Sequence, residues 1–319
     1  ITELVKLNSS LSVTLQTKKN IAHAKQIISD VAFIKKYNNI SWSKKADGSP
    51  NIHSIKKYFN GYDNLSDKFI QDELIDFDFD FIISDFVCEA FEISRIKKIK
   101  SFGVAHFTWD WFFSKLYPPP LSTHVMNRLL EFANHADVIY FPPFTPQEIL
   151  NYYKKKSKHV PLIVRKINSA ADNINTNKFN ILLMDSGAGI LGRYITEALK
   201  QINMLRDFHF FVSSATENKQ QYDNVTLIDK EKLFIDYIPK MNLVIGRAGF
   251  NTISECIAYR VPMLLISEAM NPEMNENIIN VKKAGLGSFI SLEDFSSHLN
   301  IFLPKFINSE YKTILEKMK

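Results

Sequence analysis

An apolar run at residues 243–245 leads directly into Gly246-Arg247-Ala248-Gly249, and the helical segment that follows carries Thr252 and Glu255. Glycines where a strand meets a helix let the backbone approach a ligand closely. The unpaired N–H groups and positive dipole end of the helix favour a phosphate. One to two turns into that helix, the Glu255 carboxylate is placed to accept hydrogen bonds from a ribose diol. The Arg247 guanidinium suits a bidentate phosphate contact or a salt bridge that shapes the loop. Together these parts outline a site for a nucleoside diphosphate. A second glycine-rich junction, Ser186-Gly187-Ala188-Gly189, can add backbone N–H groups for a pyrophosphate, although such turns as often simply join a strand to a helix.

Elements that could position these groups follow from the apolar pattern. A short helix at 1–7 precedes strands at 11–16 and 31–34, a turn around Asp47-Gly48-Ser49-Pro50 and a long helical stretch at 52–74. The run 80–85 reads as a parallel strand whose C-terminal end points Asp85 into the crevice where open α/β sheets bind ligands. Helix 86–97, strand 102–106, helix 123–135, strand 138–141 and a further strand at 162–165 continue the alternation expected of a doubly wound sheet. A second series comprises strand 180–184, helix 191–201, strands 209–213 and 225–228, the Arg247 region, an apolar strand at 261–266, a polar loop at 271–277 and two closing helices at 292–306 and 310–319. The polar stretch 168–178 marks the boundary between the two series.

Composition is that of a folded protein. The chain has 319 residues, 45% of them hydrophobic, which is enough for two domains with their own cores. Its net charge of +5 suits an anionic substrate or membrane surface and is too weak, without a clustered stripe, to indicate nucleic acid. Cys88 and Cys256 lie far apart in apolar contexts, as expected of a reduced, intracellular protein. No apolar run approaches the ~18 residues of a membrane span, and Ile1 opens no signal peptide. No Cys/His cluster has metal-ligand spacing, and no Gly-x-Ser-x-Gly elbow occurs.

Among ionisable groups at strand ends, Asp85, His106 and Asp110 are the candidates for a general base, each weighed against an ordinary structural role. His106 and Asp110 belong to the densest aromatic segment, residues 106–113. It reads equally as a wall of an acceptor site, as a patch dipping into a membrane with Pro118-Pro119-Pro120-Leu121 and the basic run 154–158, or as core packing beneath a loop.

In the order Phe234-Ile235-Asp236, residues 242–249, Thr252-Ile253-Ser254-Glu255, Val261-Pro262, then Asn277 with Ala284-Gly285, the chain resembles the GT-B glycosyltransferases, most closely the MurG-like and galactolipid-synthase-like branch. The resemblance implies an α/β fold of two Rossmann-like doubly wound domains facing a cleft: residues 1–167 for the acceptor, without a first strand, and 168–319 for a nucleotide sugar, with the closing helices crossing back. It implies a UDP-sugar whose diphosphate lies between the Ser186 and Arg247 loops, near Ala248, Gly249 and Thr252. Glu255 is assigned the ribose, the Ile235 backbone the uracil, and Glu273 and Asn277 sugar hydroxyls. Met274 stands where such enzymes usually have Gln, and Met accepts hydrogen bonds poorly.

The implied reaction is inverting, metal-independent and cofactor-free transfer to an acceptor hydroxyl of a lipid or glycan, in the cytoplasm or at the inner face of the membrane, with possible peripheral membrane contact. A sugar-nucleotide 2-epimerase and a catalytically silent nucleotide-sugar-binding subunit are the alternatives.

Overall fold

A computed structural model describes residues 2–17, 33–36, 43–45, 47–75, 78–167, 174, 178–185, 191–213, 222–228, 234–268 and 270–319. The chain divides into two units, 1–42 and 43–319. In the first, the helix Thr2–Leu7 precedes strands β1 (Thr14–Thr17) and β2 (Phe33–Lys36), which pair in parallel with Thr14 opposite Phe33.

The second unit holds two parallel sheets. One has the order β3-β4-β5-β6, from Phe81–Ser84, Lys100–Val104, Val138–Phe141 and Ser157–His159. The other has the order β12-β11-β10-β7-β8-β9. Its strands β7 (Phe179–Met184), β8 (Phe208–Ser213) and β9 (Val225–Ile228) run outward from the centre. The chain then returns to the centre, and β10 (Leu243–Arg247), β11 (Met263–Ser267) and β12 (Gly287–Ser291) run out the other way. The order therefore reverses between β7 and β10, and a crevice opens at the carboxyl ends of strands where this happens. Both strands lie inside the sheet, and every residue of β10 is buried.

Three sequence expectations change. The 52–74 stretch is two helices, Ile52–Phe59 and Tyr62–Ile75, interrupted at Asn60-Gly61, where glycine weakens the helix. The strand expected at 162–165 is irregular, and the sheet instead ends on Ser157–His159, a polar edge strand inside the basic run. The polar loop expected at 271–277 is the start of the helix Pro272–Ala284. Asn271 caps it by accepting a hydrogen bond from Met274 N, Pro272 opens it, and Gly285 closes it at φ 71°. The Ser186–Gly189 loop lies outside the described residues. Strand β7, which precedes it in the chain, pairs with β10 with Gly246 opposite Met184.

Each sheet has its own core. Beneath the first, Trp111, Phe112 and Phe113 are buried, with Phe113 edge-on to Phe59 and Phe112 edge-on to Trp109, so this end of the aromatic segment is core. The closing helices bury Phe295, Leu299, Leu303, Phe306, Ile314 and Met318 in the core of the second sheet. Among the described residues no helix is long and apolar enough to cross a membrane.

Gly287 is where β12 meets β11 most tightly: an added Cβ would lie 2.6 Å from Met263 Cγ and 2.8 Å from Met263 O. Gly287→Ala is therefore expected to cost about 1 to 3 kcal/mol of stability, seen as a lower urea midpoint. An unchanged midpoint would show that the strand pair can part at no cost.

Candidate functional site

The crevice at the end of β10 is organised by two buried charges. Arg247 is the last residue of β10, and Glu268 follows β11, its hydrogen-bonded neighbour. Arg247 Nη2 donates to Glu268 Oε2 at 2.9 Å and Nε donates to Oε1, with both residues buried. Of the two roles read for Arg247, the salt bridge is the one the structure displays. Asn277 Nδ2 donates to Ala248 O at 2.8 Å. That bond holds the Gly246–Gly249 turn from below, leading into the helix Phe250–Ala258, whose N-cap is Gly249. Thr252 and Ile235 are buried. Met274 packs in the second core, so it is a buried packing residue where a sugar contact was expected by family pattern.

Glu255 is not the solvated acid that is the default for a helical glutamate. It is buried, and both Nε and Nη2 of Arg165 reach its Oε1 at 2.8 Å. Oε2 accepts no hydrogen bond from the described residues. Tyr259 Oη donates to Arg165 O at 3.1 Å, which seats the 160–167 segment on this helix. Sequence reasoning missed Arg165 because its apolar neighbours suggested a strand; only its contact reveals it.

Across the crevice, β3 and β4 end at Asp85 and His106. His106 Nε2 lies 3.0 Å from Glu273 Oε1, on the helix Pro272–Ala284, and its ring stacks on Phe250 with centroids 4.4 Å apart. A carboxylate only accepts, so Nε2 carries the proton in this pair, and Nδ1 is the ring nitrogen left for another partner. Glu273, expected on a sugar hydroxyl, is engaged here with His106.

Asp85 keeps an exposed surface, yet protein crowds it in the cleft. That desolvation pushes its carboxyl above the usual range, the His106 charge opposes the shift, and Glu273 adds to it. Asp110 stands apart, inside the first domain, where Tyr153 Oη donates to its Oδ1 at 3.3 Å and burial likewise pushes it up. The structure thus sets Asp85 and His106 just beyond the ends of the paired strands β3 and β4 and gives Asp110 a structural partner.

A hairpin from the first domain also enters the crevice. Lys44 pairs with Pro50 in an antiparallel bridge, and Lys45 N donates to Ser49 O at 2.9 Å. At its tip Gly48 has φ 83°, and a Cβ there would lie 2.5 Å from Glu268 Oε2. The sequence signalled this turn but not what it faces.

Removing one member of a buried ion pair leaves the other charge desolvated. Glu268→Ala is expected to destabilise the protein by about 3 to 5 kcal/mol, whereas Arg247→Met combined with Glu268→Leu costs clearly less than the sum of the single changes. Additive losses in urea denaturation would show that the two side chains do not act as a pair.

Residues 186–313 match the glycosyltransferase family 28 C-terminal domain. Over 123 residues the chain is 30% identical to the UDP-N-acetylglucosamine–N-acetylmuramyl-(pentapeptide) pyrophosphoryl-undecaprenol N-acetylglucosamine transferase of Thermosipho africanus, covering 37% of this chain and 36% of that one. Over 195 residues it is 22% identical to L-arabinokinase of Arabidopsis thaliana, covering 59% of this chain and 18% of that one. The chain thus spans less than half the length of these curated relatives.

Among solved structures, the glycotransferase of kitacinnamycin superposes with a TM-score of 0.68 at 13% identity, covering 99% of this chain and 87% of that one. The spinosyn rhamnosyltransferase SpnG superposes with a TM-score of 0.64 at 10% identity, covering 98% and 90%. Likeness at such identities speaks for the fold. Switch-point crevice and superposition agree on the fold: the chain has the two-domain α/β architecture of the GT-B glycosyltransferases, and its residues 186–313 are those that match the glycosyltransferase family 28 C-terminal domain.

Proposed function

We propose that the protein transfers a sugar from a nucleoside-diphosphate donor, of the UDP type, to an acceptor hydroxyl. The observation that carries this reading is the His106–Glu273 contact at 3.0 Å, which sets a basic nitrogen from the first domain over the helix end that opens the donor-side crevice. His106 Nδ1 takes the acceptor proton. The acceptor oxygen forms its bond to the anomeric carbon as the bond from that carbon to the diphosphate oxygen breaks, and the diphosphate leaves with the electron pair. Asp85 beside His106 favours the protonated imidazole that results, and the helix Phe250–Ala258 meets the departing charge with its N–H groups.

Glu255 takes the ribose through Oε2, and Ile235 lies beside the base. A solved relative of this fold is a complex with thymidine diphosphate, which supports the diphosphate part of the reading. Inverting and metal-independent transfer rests on the resemblance to the MurG-like branch.

The test is calorimetry and transfer assays on the full chain. Glu255→Ala should weaken UDP binding by about 1 to 3 kcal/mol, while His106→Ala keeps UDP affinity and loses turnover about 100-fold or more. A folded chain that binds no nucleoside diphosphate would sink the donor site. Equal turnover of His106→Ala would remove His106 as the base. Donor incubated alone should be recovered unchanged; an isomerised sugar would give the epimerase instead.

The acceptor is proposed to be a lipid or glycan, reached at the inner face of a membrane in the cytoplasm. The name of the Thermosipho relative includes an undecaprenol lipid. With Trp111, Phe112 and Phe113 buried, membrane attraction would fall to Lys154, Lys155 and Lys158, which are exposed around the edge strand β6. The protein should sediment with anionic vesicles at low salt and be released at high salt. No sedimentation at low salt would favour a soluble acceptor.

A further inference from the structure

A diphosphate site needs cationic charge that is not already neutralised, and Arg247 does not supply it. Its guanidinium is buried against Glu268, and Asp185 at the end of β7 lies in the same electrostatic neighbourhood. Arg165 is likewise held by Glu255. Carboxylates therefore match or outnumber the cations of the second domain at this crevice, and an incoming diphosphate would meet Glu268, Glu273 and Asp185 as like charges.

Lys44 is a cation of the crevice that holds no ion pair among the described residues. It opens the 43–51 hairpin, which is internally braced: Gly48 N donates to Lys45 O at 3.1 Å and Asn51 N to Ser43 O at 3.2 Å. Asp47 Oδ1 accepts from Ser49 N at 2.9 Å and from Ser49 Oγ at 2.6 Å. The tip glycine is seated on the Glu268 carboxylate so closely that no side chain fits between them. That seat fixes where Lys44 stands, within the field of Arg247, Glu268 and Glu273. The ammonium keeps contact with solvent, but crowding by the cleft lowers its pKa; Arg247 lowers it further, while Glu268 and Glu273 oppose the shift. An anion bound beside it would restore the charged form.

We propose that Lys44 contacts the diphosphate of the donor, so that the charge stabilising the leaving group comes from the hairpin of the first domain and not from Arg247. The inference rests on the donor-site reading above and deepens it. A compact ammonium on a flexible stem suits a diphosphate whose charge shifts during the reaction. Its position also explains why the turn has glycine at its tip: any side chain there would lift the hairpin, and Lys44 with it, off the crevice.

The experiment compares UDP and uridine binding by calorimetry to the full chain and to its Lys44→Ala and Lys44→Arg variants. Lys44 is exposed on a hairpin, so both variants should fold. Lys44→Ala should weaken UDP about 10-fold, as expected for one charge-assisted contact, leave uridine unchanged, and be largely rescued in Lys44→Arg. If Lys44→Ala binds UDP like the unaltered protein, or weakens UDP and uridine equally, the proposal is overturned. If the unaltered protein binds neither UDP nor dTDP, the donor-site reading fails, a result that no Lys44 variant could mimic.

Discussion

Two opposite charges buried side by side, Arg247 and Glu268, constrain everything around the crevice. Neither could remain in the interior alone, because the desolvation cost of a single ion is several kcal/mol. Their contact ties the end of β10 to the end of β11, beside the point where the sheet reverses order. With that edge held, the Gly246–Gly249 turn enters its helix at a defined angle and Asn277 can reach Ala248 O. Glu268 also receives Asn271 Nδ2 at 3.4 Å and forms the floor on which Gly48 rests. A residue resembling a phosphate ligand in sequence is thus occupied in building the site.

The helix Phe250–Ala258 carries contacts at both ends. At its N-terminal end Phe250 stacks under His106; further along, Glu255 and Tyr259 hold Arg165. One short element therefore sets the distance between the proposed base, His106, and the proposed ribose carboxylate, Glu255. Asn280 Nδ2 reaches Phe144 O at 3.3 Å as another link from the helix Pro272–Ala284 to the first domain. With His106–Glu273 and Arg165–Glu255 it belongs to the polar contacts that join the two halves of the cleft among the described residues.

Strands and glycine turns were legible because parallel strands covered on both faces read as uninterrupted apolar runs, and β5 and β9 fall where the sequence puts them. What was hidden depends on helix phase and tertiary partners. Once Asn271-Pro272 is recognised as a cap and first turn, Met274, Ile278 and Val281 form the core-facing stripe, and Met274 ceases to look like a misplaced sugar ligand. The polar strand Ser157–His159 has no apolar signal to find. Arg165, Glu268 and Lys44 act through residues 90, 21 and about 200 positions away, and no local pattern encodes such pairings. His106 and Asp85 were identifiable as strand-end residues, whereas only the fold separates them from Asp110.

One feature of the first sheet bears on how the molecule behaves in bulk. Among the described residues β3 has a single neighbour, β4, and along the strand Phe81 and Ile83 keep 41% and 49% of their surface exposed. Apolar side chains left open along a strand invite contact with other apolar surface. A charge introduced at Phe81 or Ile83 would then alter the colloidal behaviour of concentrated solutions more than the stability of either core.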